Sequence, residues 1–185
     1  MKKLSALAIT ITLFVGLNLV KAGGETVELG GLKSKTPEAW KSQKPSNKLR
    51  LYQFAVPKVE GDKEDAELVV FFFGAGGGGS TDDNLKRWKG QFIAPEGKTI
   101  DDASKVEKFK VGKEADVVYL DISGTFKYKN PPFDPKAKEE RKENFRRFGV
   151  IFDTDKGAYF ITLTGPAKTM AKSKDAFDGW IKAFK

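Results

Sequence analysis

The 185-residue chain contains no cysteine and no histidine. The first absence means that any exported form folds without disulfides and is held together by its core alone. The second removes Ser-His-Asp and Cys-His nucleophiles, histidine zinc sites and the commonest general base. Catalysis would have to fall to carboxylates, Lys, Tyr, Ser or an oxygen-ligated metal. Aromatics are plentiful: fifteen Phe, four Tyr and three Trp supply bulky apolar surface for a core.

Lys2 and Lys3 precede a mostly apolar stretch, Leu4 to Val20, broken by Ser5, Thr10, Thr12 and Asn18. Val20-Lys21-Ala22 then places small or moderate residues before Gly23. This is the layout of a secretory signal peptide over residues 1–22, cut near Ala22. A retained membrane anchor is the alternative, because seventeen residues is near the lower limit for a spanning helix. No cysteine follows the stretch, so a lipoprotein anchor is excluded. The expectation is an exported protein, periplasmic or secreted, with residues 23–185 forming one domain. Loss of Lys2, Lys3 and Lys21 lowers the formal charge from +8 to +5. That balance is mild for the length and points to no nucleic-acid partner.

Periodicity sets out the elements. Thr26 to Leu29 is a short strand candidate. Pro37-Glu38-Ala39-Trp40 is a turn that delivers a tryptophan to a sheet edge. Leu49 to Val56 alternates with period two, and Leu68 to Phe73 is apolar throughout, as a strand covered on both faces requires. After Gly74–Gly79, Ser80 caps a helix whose Leu85, Trp88 and Phe92 form one stripe. Val106 to Val111 is a lysine-bearing edge strand. Val117 to Phe126 is a longer strand, with Val118, Leu120 and Ile122 on one face and Tyr119, Asp121 and Ser123 on the other. Asn130 to Pro135 cannot be regular structure. Lys136 to Arg147 reads as an exposed charged helix or loop. Phe148–Phe152 and Tyr159–Leu163 form a hairpin, Gly165-Pro166 ends the second of them, and Ser173 caps a last helix with Phe177, Trp180, Ile181 and Phe184 inward. The order predicts an α+β domain: a central, mostly antiparallel sheet flanked by helices.

Gly74-Ala75-Gly76-Gly77-Gly78-Gly79-Ser80 lies between a strand and a helix, where nucleotide-binding folds cradle phosphate. Asp82 and Asp83 argue against that use, since they occupy the helix N-terminus and would repel an anion. In a Walker A reading, Ser80 stands where the lysine is needed. No strand ending in an acid follows at the dinucleotide spacing. The glycines therefore read as a structural crossover, flexible or tight, and four in succession suggest mobility. Asp153-x-Asp155-x-Gly157 lacks the remaining ligands of a calcium loop, and Glu60–Asp65 fits no EF-hand spacing, so both read as turns. Asp121 and Ser123 share a face that could line a pocket, although a polar outer face of a sheet is the commoner reason for such a pair. No catalytic residue, cofactor or metal is assigned.

The Trp40 region, LRLYQFAVP, ELVVFFFG, NLKRWKGQF and the ending YFITLTGPAKTMAKSKDAFDGWIKAFK resemble the PsbP/Mog-type and DcrB-like α/β sandwich family of exported proteins, over roughly residues 35–185. The resemblance implies a sheet between helices and a non-catalytic, partner-binding role. Its motifs are packing motifs, so no functional residue carries over. The leading expectation is thus an exported, non-catalytic domain that binds a protein partner or assists an extracytoplasmic assembly. The alternative is a small-molecule or anion-binding protein, or a weak hydrolase, using Gly76, Gly77, Gly78, Gly79, Ser80 and Arg87, with Lys86 beside them. Contact of 136–147 with an anionic membrane surface is a third reading.

Overall fold

The computed structural model describes residues 24–113, 115–130 and 136–185. Residues 1–22, expected above to be a signal peptide, and the prolines of 131–135 lie outside the described residues. Among those described, no helix is long and apolar enough to cross a membrane.

A small hairpin of β1 (Thr26–Leu29) and β2 (Leu32–Lys35) precedes the main sheet. That sheet contains β3 (Lys41–Gln43), β4 (Arg50–Val56), β5 (Ala66–Phe72), β6 (Phe92–Ile93), β7 (Ser104–Val111), β8 (Ala115–Lys129), β9 (Glu139–Thr154) and β10 (Gly157–Pro166). Its order is β3-β4-β5-β10-β9-β8-β6, with β7 also on β8, and every pairing is antiparallel. Helix α1 (Thr81–Gly90) carries the chain from β5 over one face to β6, and α2 (Ala167–Lys182) follows β10 onto the other. The domain is α+β, a large antiparallel sheet between two helices.

Period-two burial produces two cores from the same strands. On the α2 face, Phe54, Leu68, Val70, Phe148, Phe152 and Leu163 pack beneath Phe177, Trp180 and Ile181. On the α1 face, Leu120, Ile122, Ile151 and Phe160 pack beneath Trp88 and Phe92. Gly149 provides the seat for α1: a Cβ there would stand 2.7 Å from the Trp88 ring. Ten helical residues span only about 15 Å, and beyond α1's reach Glu67 and Phe73 stay exposed.

Three sequence expectations are corrected. The charged run 136–147 is strand from Glu139 onward, because β9 pairs with β8 along its length, so its charges alternate between faces. A bulge at Gly124/Phe126 absorbs one extra β9 residue, and Asn144 takes a φ of 56° there. β10 runs through Gly165 to Pro166, and α2 starts at Ala167, so Ser173 is interior. The cap of α2 is tertiary: Asp62, in the charged loop before β5, accepts from Thr169 N–H (2.8 Å) and Thr169 Oγ1 (2.6 Å). Trp40 stands at the sheet edge as expected, directly before the edge strand β3. It is buried against α2, with ring centroids 5.4 Å from Trp180 and 6.3 Å from Phe177.

Candidate functional site: two arginines on the α1 face

The glycine segment is folded by specific contacts rather than left loose. Gly77 N–H donates to Gly74 O at 3.0 Å. Gly74, Gly76, Gly78 and Gly79 all have positive φ. At Gly78 (φ 89°) glycine is required twice over, since a Cβ would run into the Phe160 ring. Ser80 is the helix cap; its hydroxyl accepts from Asp83 N–H at 3.1 Å and donates to Asp83 Oδ2 at 2.6 Å. Ser80 is thus engaged by Asp83, with Asp82 also in the first turn, and both acids disfavour an anion at the helix start.

One part of the predicted set is brought together through Asn84, which is 1% exposed. Its Nδ2 donates to Gly78 O and Ser80 O, each at 2.8 Å, and its Oδ1 accepts from Arg87 Nη2. Gly78, Ser80 and Arg87 therefore belong to one hydrogen-bonded unit. Gly76 and Gly79 lie exposed on the outer side of the loop, and Gly77 packs its backbone against Phe73. Lys86 is exposed.

The residue that gives this unit its chemistry is Arg147. Consecutive strand residues face opposite ways, and Arg146-Arg147 on β9 is a clear case. Arg146 points to the α2 face and forms a bidentate pair with Asp121 (2.7 and 2.6 Å), which raises the guanidinium pKa. Arg147 points to the α1 face and is 6% exposed. Its Nε donates to Thr164 Oγ1 at 2.7 Å, its Nη1 donates to Gln91 Oε1, and its guanidinium lies 4.8 Å from the Phe126 centroid and 5.6 Å from that of Phe92. Among the described residues no carboxylate pairs with it, and nothing accepts from its Nη2. Glu67 stands two strands away on the same row, through Thr164. It is held by Arg50 (2.7 Å) and Gln53 (3.0 Å). Burial, and then the like charge of Arg87, push the Arg147 pKa down to about 9, so the group stays charged at neutral pH. Arg87, exposed and without a carboxylate among the described residues, is lowered by partial burial.

Of the five arginines, Arg50, Arg141 and Arg146 are ion-paired. The two without an ion pair among the described residues are Arg87 and Arg147, and the charge of Arg87 disfavours that of Arg147. Planar guanidinium forks match carboxylate, sulfate and phosphate oxygens. A buried cation solvated only by a hydroxyl, an amide and aromatic rings gains most from such a counter-charge. Arg147, Gln91, Thr164 and Asn84 were missed from the sequence. The signal for Arg147 was available in Phe145-Arg146-Arg147-Phe148: read as strand, it must send one arginine to each core. Asp121 and Ser123, considered as pocket residues, do line one open surface depression with Pro95, Lys98, Ala103 and Lys105; there Asp121 is the partner of Arg146, and Ser123 N–H donates to the Ala103 carbonyl. Asp153 to Gly157 is a turn closed by Thr154 Oγ1, which donates to Gly157 O. Among the described residues no group of three or more acids could hold a metal.

No family model matches the chain. A comparison with curated proteins also finds no match. Among solved structures, the chain is similar to cyanobacterial PsbP (CyanoP) of Synechocystis, at 12% identity and TM-score 0.44, covering 96% of this chain and 98% of that one. It is also similar to PA94 of Pseudomonas aeruginosa, a protein of unknown function, at 14% identity and TM-score 0.43, covering 85% and 93%. The fold class rests on the strand order and layers above, and neither likeness enters the argument about the site.

Proposed function

We propose that the protein is an exported, non-catalytic domain that binds a partner through an anionic group received by Arg87 and Arg147. The observation that carries this reading is Arg147 itself: a buried guanidinium that, among the described residues, has no carboxylate partner and an uncommitted Nη2, with the charge of Arg87 near enough to act on it. Burying an unpaired charge is costly, and a counter-anion on a partner offsets that cost only in the complex. Export is proposed from the pattern of residues 1–22. The glycine loop acts at one remove, holding Asn84 so that Asn84 holds Arg87.

The test is thermal unfolding of the purified protein in phosphate, sulfate or a short acidic peptide, against sodium chloride at equal ionic strength. An anion at about ten times its Kd should raise Tm by about 3 °C. The rise should vanish in Arg147→Met and shrink in Arg87→Gln. If every anion acts equally on wild type and both variants, the arginine pair is structural and the proposal fails. A response to inorganic anions but not to the peptide would favour a free small anion as the ligand instead.

A further inference from the structure

The face that carries the arginine pair is covered on one side only. Helix α1 seats Trp88 on Gly149 of β9; its start is tied to Gly78, and Gln91 at its end holds Arg147. Beside it, β5 turns Glu67, Val69, Phe71 and Phe73 to the same side, and among the described residues no helix covers that strand there. Phe71 and Phe73 form a parallel stack, with ring centroids 6.1 Å apart and planes within 4°. Phe71 is half-buried, whereas Phe73 is 40% exposed. Phe73 also lies 5.8 Å from Phe160 and beside Gly78, so the aromatic shelf adjoins the start of α1.

Register sets the distance between this shelf and the arginines. Arg147, Thr164 and Glu67 form one row across β9, β10 and β5, and Phe160 and Phe71 belong to another. Four residues of β5 separate Glu67 from Phe71, and Phe73 lies two further on. At ~3.3 Å per residue the separations are ~13 and ~20 Å. At the cationic end the free groups are donors. Among the described residues, the fully buried side-chain polar atoms without partners are Thr36 Oγ1, Arg50 Nε and Trp180 Nε1. Arg147 Nη2 is unpartnered and is not one of these, so it reaches solvent. Thr164 accepts from Arg147 Nε, and no described residue accepts its own hydroxyl proton. Glu67 is already neutralised by Arg50. The charge on offer is therefore that of Arg87 and Arg147, and its complement is an anion.

We propose that the partner is an extended acidic peptide segment that also carries a large apolar side chain. Its carboxylates meet Arg87 and Arg147, and its apolar side chain lies on Phe71 and Phe73. The two are about four to six residues apart, since an extended chain covers ~13–20 Å in that length. This inference rests on the arginine reading above and adds to it a second contact and a spacing.

The experiment is a fluorescence-anisotropy titration of the purified protein with labelled Gly/Ser peptides that carry adjacent aspartates and a single phenylalanine. The separation between them is varied from one residue to about twelve, in both chain orders. Binding should be tightest at about four to six residues. There it should be about fivefold tighter than for the same peptide with serine in place of phenylalanine. Phe73→Ser should remove that gain and leave the weaker binding, while phosphate still raises its Tm as in wild type, which shows that fold and arginine pair are intact. Arg147→Met should abolish binding of every peptide. If it does so while phenylalanine makes no difference at any spacing, or if the gain survives in Phe73→Ser, this inference is overturned and the arginine reading stands. If Arg147→Met leaves binding unchanged, both fall. A best separation near ten residues would indicate a helical segment, at about 1.5 Å per residue, and would overturn the extended one. Absence of binding of every peptide at about millimolar concentration overturns it as well, and the phosphate response of wild type then judges the arginine reading alone.

Discussion

At the residue scale, single positions are set by contacts that residue type alone does not reveal. Gly76 and Gly78 sit two apart in one glycine run, both at positive φ, yet a Cβ at Gly76 meets nothing and one at Gly78 meets Phe160. Gly76→Ala should cost about 1 kcal/mol, the left-handed backbone penalty. Gly78→Ala should cost about 2–4 kcal/mol, because overpacking is added. Urea midpoints at constant m-value separate the two. Tyr119 is a second case. Burial, then the charge of Asp178 3.0 Å from its hydroxyl, raise the phenol pKa above its ordinary value. The unfolded chain's tyrosine loses its proton near pH 10 while the folded one keeps it. Stability from this group is therefore complete below about pH 10 and falls as pH rises beyond it. Tyr119→Phe should flatten the fall in urea midpoint between about pH 9.5 and 11.

At the element scale, both helices depend on groups outside themselves. The first turn of α1 is capped locally by Ser80, but Asn84 fastens that turn to the glycine loop through Gly78 O and Ser80 O. Asn84→Ala should cost about 2 kcal/mol for the lost buried hydrogen bonds. It should also speed amide exchange across residues 74–80, and a loop independent of Asn84 would show no such change. The start of α2 has no side-chain cap from its own N-cap residue, Pro166. Asp62 supplies one from 107 residues earlier in the chain. Asp62→Ala should cost about 1–2 kcal/mol, the usual value of a cap. Asp62→Asn should recover part of it, because an amide oxygen still accepts from Thr169 N–H.

At the scale of the whole molecule, one sheet serves two unequal faces. The α2 face is an aromatic core centred on Phe177, whose ring lies between 5.4 and 6.3 Å from those of Trp40, Tyr119, Phe148 and Trp180. Phe177→Ala should cost about 3–5 kcal/mol, and cooperative unfolding should move to a lower urea midpoint as a single transition. A biphasic curve would show that the two faces unfold separately. The α1 face is covered by a shorter helix and keeps polar groups on its strands, including Thr164, Glu67 and Arg147. The two arginines without ion pairs among the described residues, Arg87 and Arg147, lie on the lightly covered side.

Much of this architecture was legible without coordinates because it is written in local periodicity. The alternation of Val117 to Phe126 split correctly into two faces. The apolar run Leu68–Phe73 became an interior strand, and the Phe177, Trp180, Ile181, Phe184 stripe became the buried side of the last helix and its end. The Ser80 cap of α1 was legible as well, since capping is a local interaction. The tertiary structure alone decided what depends on partners distant in sequence. It extended the charged run after Glu139 into strand, because β8 supplies the hydrogen bonds that charge pattern does not encode. It gave α2 a cap from Asp62. It paired Arg146 with Asp121 while leaving Arg147 unpaired, because Glu67 on that face is held by Arg50 and Gln53. An ion pair or its absence is a matter of register across several strands, and register is fixed only when the whole sheet assembles.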